Sequence, residues 1–151
     1  MRNLYQDPFS FAGISPAVPG GYQRGGDGYY YKFHGERKKW NDAQEACRSE
    51  GGNLAIIFNQ QTRDVVREFM ADGWIGVTDQ WQEGKWQTPT KGNAPYSSWG
   101  RGEPNNLGNE DCTIQHSNKL WNDVGCHYQQ PFICQFNTGL LVKIASPTIK
   151  N

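Results

Sequence analysis

At 151 residues the chain has room for one domain with tails. Fifteen basic residues balance 15 acidic ones, so no sequence-wide field attracts nucleic acid or an anionic membrane. The hydrophobic fraction is a modest 36%, but six Trp, seven Tyr and seven Phe supply rings large enough to build a real core.

Cys47, Cys112, Cys126 and Cys134 form no C-x-x-C pair, and His34, His116 and His127 complete no zinc spacing. An even count without metal spacing favours two disulfides and an oxidising compartment, with three pairings open. Reduced, buried thiols in a cytosolic protein are the alternative. No apolar leader follows Met1-Arg2-Asn3, and the apolar run at 140–144 is far too short to span a bilayer. Direct membrane insertion is therefore not expected. An extracellular location implies a leader already removed, or a piece of a larger chain.

Residues 1–28 read as a Gly/Pro-rich linker or tail, in which Phe9, Phe11 and Tyr22 are candidate anchors. Its glycines match neither a dinucleotide fingerprint nor a phosphate loop. Residues 29–33 form an aromatic strand candidate. Trp40, Ala43, Ala46 and Cys47 then fall on one helical face, stopped by Gly51-Gly52. Residues 54–58 are a buried apolar run. Asn59 is the expected N-cap of a second helix, with Val65, Val66, Phe69 and Met70 on one side and Asp72-Gly73 at its end.

Trp74-Ile75-Gly76-Val77 reads as a central strand. Residues 78–109 carry Gly, Pro, Asn and Trp without period, and a loop this long is functional or disordered; Trp81, Trp86 and Trp99 argue against disorder. Short strands are expected at 112–115, 119–122 and 132–136. No repeat appears, so the chain is a single α+β unit.

The chemistry concentrates at 103–123. Glu103-Pro104-Asn105-Asn106, Asn109-Glu110-Asp111-Cys112 and Trp121-Asn122-Asp123 gather carboxylates and carboxamides with almost no sulfur or imidazole. Such hard oxygen donors suit Ca²⁺ rather than zinc or copper, although acid- and Asn-rich loops are also common as solvated turns.

Taken together, the Trp40…Ala43…Cys47 helix with Gly51-Gly52, the Trp74-Ile75-Gly76-Val77 strand, Glu103-Pro104-Asn105, Trp121-Asn122-Asp123 and the four cysteines, in this order, resemble a C-type lectin-like domain of the short form. The match covers about residues 29–136. It implies a domain at 29–137 between tails at 1–28 and 138–151. It also implies an α+β C-type lectin fold: two helices, small antiparallel sheets and a long calcium-binding loop region, with disulfides Cys47–Cys134 and Cys112–Cys126. In the chain-entropy model the longer link would contribute about 4 to 5 kcal/mol and the shorter about 3.

The resemblance further implies a cis Glu103–Pro104 bond that turns the flanking side chains toward one ion. The principal calcium set is Glu103, Asn105, Glu110, Asn122 and Asp123. Five side chains and one main-chain carbonyl do not fill a shell of six to eight oxygens, which leaves places for two hydroxyls of a sugar. Each hydroxyl donates to a carboxylate and accepts from an amide, so the set suits a vicinal diol.

The Glu-Pro-Asn form resembles sites for equatorial hydroxyls, as in mannose, N-acetylglucosamine and glucose, or the equivalent diol of fucose. Galactose is disfavoured, because neither Gln-Pro-Asp nor the accompanying aromatic loop is present. Leu107 and Val124 are placed to pack on the sugar. An auxiliary calcium would be held by Asp79, Glu83, Asn106 and Asp111 with Glu110. The implied function is a glycan-recognition or adhesion module, extracellular or at the cell surface, as part of a larger or multimeric assembly. The alternative is a module for a protein, mineral or ice surface. Catalysis is not expected: Glu103 and Glu110 could flank a glycosidic bond, but calcium lowers the pKa a general acid needs raised. No Ser–His–Asp or Cys–His arrangement is supported.

Overall fold

The computed structural model describes residues 18–137; most of both expected tails, at 1–17 and 138–151, lies outside the described residues. The elements in order are β1 (Gln23–Arg24), β2 (Tyr30–Lys38), α1 (Trp40–Ser49), β3 (Asn53–Leu54), α2 (Gln60–Phe69), β4 (Gly73–Thr78), β5 (Cys112–Gln115), β6 (Trp121–Val124) and β7 (Gln130–Phe136). The strands form one sheet in the order β1-β2-β7-β4-β5-β6, with β3 against β7. Among the strands of the described residues only β4 and β7 pair in parallel, meeting at Trp74 and Phe132.

The apolar helical faces are the buried ones. Trp40, Ala43 and Cys47 are buried along α1, and Gly51, at φ +93°, turns the chain away in a conformation that favours glycine. In α2 Asn59 accepts from the Thr62 N–H at 2.9 Å, satisfying one donor at the helix start. Val65, Val66 and Met70 are buried, and Phe69 tilts against Tyr31 at 5.4 Å. Cys47–Cys134 ties α1 to β7, and Cys112–Cys126 ties β5 to the segment after β6.

Several boundaries differ from the expectations. Part of the segment read as linker is folded onto the domain: β1 pairs with β2, and Tyr22, expected as an anchor, is buried against Phe136, while Phe9 and Phe11 lie outside the described residues. Strand β2 runs on to Lys38 past an irregularity between His34 and Lys38. Only Leu54 of the run at 54–58 joins the sheet. At Ile56 the Gln135 side chain replaces the ladder, donating to the Ile56 carbonyl at 3.0 Å and accepting from its N–H at 3.2 Å. The strand expected from residue 119 begins at Trp121, because Lys119 (φ 73°) sits in the preceding turn.

The long loop is held by an apolar floor. Ile75, Val77 and Trp121 are buried beneath Trp86, Tyr96 and Trp99, and Trp121 spends its indole N–H on Gln115 at 3.0 Å. The packing of these rings supports a segment whose own ladder is limited to the bridges Thr78–Gln87 and Gln87–Asn93.

Candidate functional site

Two groups of carboxylates gather where the long loop meets β4, β5 and β6. The first is organised by β6, which places Asn122 and Asp123. Asp123 is fully buried and accepts the backbone N–H of Asn105 at 3.1 Å and of Asn106 at 2.7 Å. The Glu103–Pro104 bond is cis. Asn105 Nδ2 donates to Glu103 Oε2 at 3.5 Å, and Asn105 Oδ1 accepts from the Leu107 N–H at 3.1 Å. Burial, then repulsion from Asp123 and Glu110, pushes Glu103 up to about 7. Burial and Asp123 also raise Glu110.

The second group is Asp79, Glu83 and Asp111, whose carboxylate oxygens lie within 4.8 Å of one another. The Asp111 carbonyl pins it, accepting from Thr78 Oγ1 at 2.6 Å and from the Asp79 N–H at 3.0 Å. The loop then closes at Gly84, whose φ of +84° favours glycine and whose N–H donates to Asp79 Oδ2 at 2.8 Å. Burial pushes Asp79 up to about 7, against the pull of the Gly84 N–H, with Asp111 and Glu83 adding to the rise.

Buried polar atoms without a partner are rare and call for a reason. Among the described residues four side-chain oxygens are in this condition: Asp79 Oδ1, Glu103 Oε1, Asp111 Oδ1 and Thr113 Oγ1. Three belong to the two carboxylate groups. Crowded, desolvated carboxylates with unsatisfied oxygens fit a hard divalent cation. Another close grouping, His34, Glu50 and Cys134, does not: the Cys134 sulfur is in a disulfide, and Glu50 Oε1 already pairs with Tyr22 and His34.

The structure thus brings Glu103, Asn105, Glu110 and Asp123 into one neighbourhood, with Asn122 beside Asp123 on β6. It brings Asp79, Glu83 and Asp111 into another. Asn106 is tied through its backbone to Asp123. Leu107 is 73% exposed beside the loop, while Val124 is half-buried at the end of β6. Sequence reasoning did not single out Thr78, Gly84 or Thr113 as parts of the site. Thr113 lies directly opposite Asp123 across the β5–β6 ladder, a placement that only register reveals.

The Lectin C-type domain family model matches residues 36–136. The chain belongs to this family. The hepatic lectin of Gallus gallus is 36% identical over 114 residues, covering 72% of this chain and 55% of that relative. The C-type lectin domain family 4 member F of Mus musculus is 32% identical over 124 residues, covering 75% of this chain and 22% of that relative. The chain thus spans about half of one relative and under a quarter of the other.

The mouse scavenger receptor C-type lectin carbohydrate-recognition domain superposes with TM-score 0.72 at 28% identity, covering 78% of this chain and 94% of that one. A Ca²⁺-dependent type II antifreeze protein in its Ca²⁺-free form superposes with TM-score 0.71 at 26% identity, covering 79% and 99%. The C-type lectin fold and both disulfide pairings stand as expected. Family and fold are those of binding modules that generally do no chemistry.

Proposed function

We propose that this C-type lectin domain binds calcium at Glu103, Asn105, Glu110, Asn122 and Asp123 and, through that ion, the vicinal equatorial hydroxyls of mannose-, N-acetylglucosamine-, glucose- or fucose-type glycans. The single observation that supports it most is the buried, unpartnered Glu103 Oε1 beside the buried Asp123 carboxylate. A bound Ca²⁺ supplies the coordination sites at which a diol replaces water. The chain's own part is to hold acid and amide oxygens in alternation, so that each hydroxyl finds an acceptor and a donor.

A second ion at Asp79, Glu83 and Asp111, with Asn106 and Glu110, would order the loop that carries Glu103. Leu107 and Val124 then flank the sugar. The partner is a glycan outside the cell or on its surface, and the two disulfides agree with that compartment.

The raised pKa of Glu103 is also what a glycosidase acid would need. Recovery of bound oligosaccharide intact after long incubation separates binding from cleavage. The likeness to an antifreeze protein keeps an ice- or protein-directed surface as a second reading, and free mannose or fucose discriminates by displacing only a glycan-directed partner. The deciding experiment is a glycan array probed with and without calcium. Calcium-dependent capture of mannose- or fucose-bearing glycans supports the proposal; equal signals in EGTA, or none in either, overturn it.

A further inference from the structure

Beneath the long loop, the hairpin carrying Trp86 and Ala94 stands over Trp121 and encloses, with Tyr96 and Trp99, an open cavity of about 330 Å³. That is near the lower end of small-molecule sites, about 300–1,000 Å³, and suits one ring rather than a chain of them. Its walls are rings set at different angles: Trp86 and Trp99 lie 4.7 Å apart at 59°, and Tyr96 meets Trp121 edge-on at 6.0 Å. The small residues Ala94 and Ser97 line it among the large ones.

The tryptophans divide by the use of their indole N–H groups. The buried Trp40, Trp74 and Trp121 each spend the indole N–H within the fold, on Ile75, Lys38 and Gln115. The indole N–H groups of Trp86 and Trp99 and the hydroxyl of Tyr96 make no hydrogen bond among the described residues. Aromatic side chains that carry uncommitted donors line one ring-sized space, and such a lining suits a pyranose, whose axial C–H face packs on π-systems while its hydroxyls accept hydrogen bonds. A purely apolar ring would use the faces and leave the donors unmatched.

We propose that this cavity is a second carbohydrate subsite, independent of metal, that takes a single pyranose with an apolar C–H face. The floor is prearranged, since Val77 and Trp121 are buried in the core. None of the carboxylates proposed to hold calcium lines it.

The probe is methyl β-glucoside, which presents only C–H groups on its two faces, added to protein held in EGTA. Saturation-transfer NMR should show contact to the axial ring protons, with a saturable change in tryptophan emission. Ala94→Leu, which fills the space without removing an aromatic wall, should abolish both signals and leave calcium-dependent mannoside capture intact. Tyr96→Phe should weaken the signal severalfold and retain the fold by circular dichroism, which keeps the test valid if the leucine variant does not fold.

Glu103→Gln should remove calcium-dependent capture and leave the EGTA signal, so failure of the calcium reading and failure of this one look different. No saturable signal in EGTA, a signal that survives in folded Ala94→Leu, or binding of phenol but not of the glucoside overturns the proposal.

Discussion

The backbone N–H of Asn106 donates to Asp123 Oδ2 at 2.7 Å, and that of Asn105 to Oδ1 of the same carboxylate at 3.1 Å. The loop carrying Glu103 is therefore fastened to β6 by a buried carboxyl group. Asp123→Ala removes both acceptors. Urea unfolding in EGTA should show a loss of about 1–3 kcal/mol, and calorimetric calcium binding should vanish. Unchanged stability in EGTA would show that the loop is held by something else.

Crowded carboxylates make the calcium-free protein sensitive to base. Glu103 and Asp79 are raised from ordinary values of 4.5 and 3.8 to about 7. Between those values the folded state holds more protons than the unfolded chain, so stability falls as pH rises through that window. Urea midpoints in EGTA should decline from about pH 5 to about pH 8. Saturating calcium, which binds the deprotonated carboxylates, should reverse the trend. Midpoints that climb with pH in EGTA would contradict the burial assigned to these groups.

The two disulfides should differ in what their loss reports. Cys112–Cys126 closes a separation of 14 residues and Cys47–Cys134 one of 87. Paired serine substitutions should cost about 3 and about 4 to 5 kcal/mol respectively in denaturant unfolding. Only the shorter link adjoins Asp111 and Val124. Its removal should also weaken calcium binding at temperatures where both variants remain folded; equal effects on affinity would count against that local role.

Asn59 serves as a control outside the two carboxylate groups. Replacing it with alanine removes the acceptor for the Thr62 N–H and should cost about 1 kcal/mol. Thermal unfolding should register the loss while the calcium isotherm stays unchanged. A shift in calcium affinity would couple α2 to the site.

Exchanging acid and amide across Pro104, as Glu103→Gln with Asn105→Asp, should weaken mannose relative to galactose. The exchange reverses which hydroxyl meets a donor and which an acceptor. Competition by the two monosaccharides measures it, and an unaltered preference would place specificity outside this pair.

Much of this was legible in one dimension. The buried faces of α1 and α2, the Asn59 cap and the wholly buried β4 all follow from interactions within a few residues, which spacing and residue type report directly. The hard-oxygen composition of 103–123 likewise raised the expectation of calcium, the ion proposed above for these residues. What composition did not reveal depends on partners far apart in the chain.

Gln135 completes the backbone of Ile56 across 79 positions, and Thr78 grips the Asp111 carbonyl across 33. The start of β6 was set by the turn at Lys119, and with it the register that places Thr113 opposite Asp123. Residue types alone determined that carboxylates and amides would be present in excess. Only the tertiary structure decided which were buried together with an oxygen left unsatisfied, because desolvation and repulsion arise when packing removes water and brings like charges near.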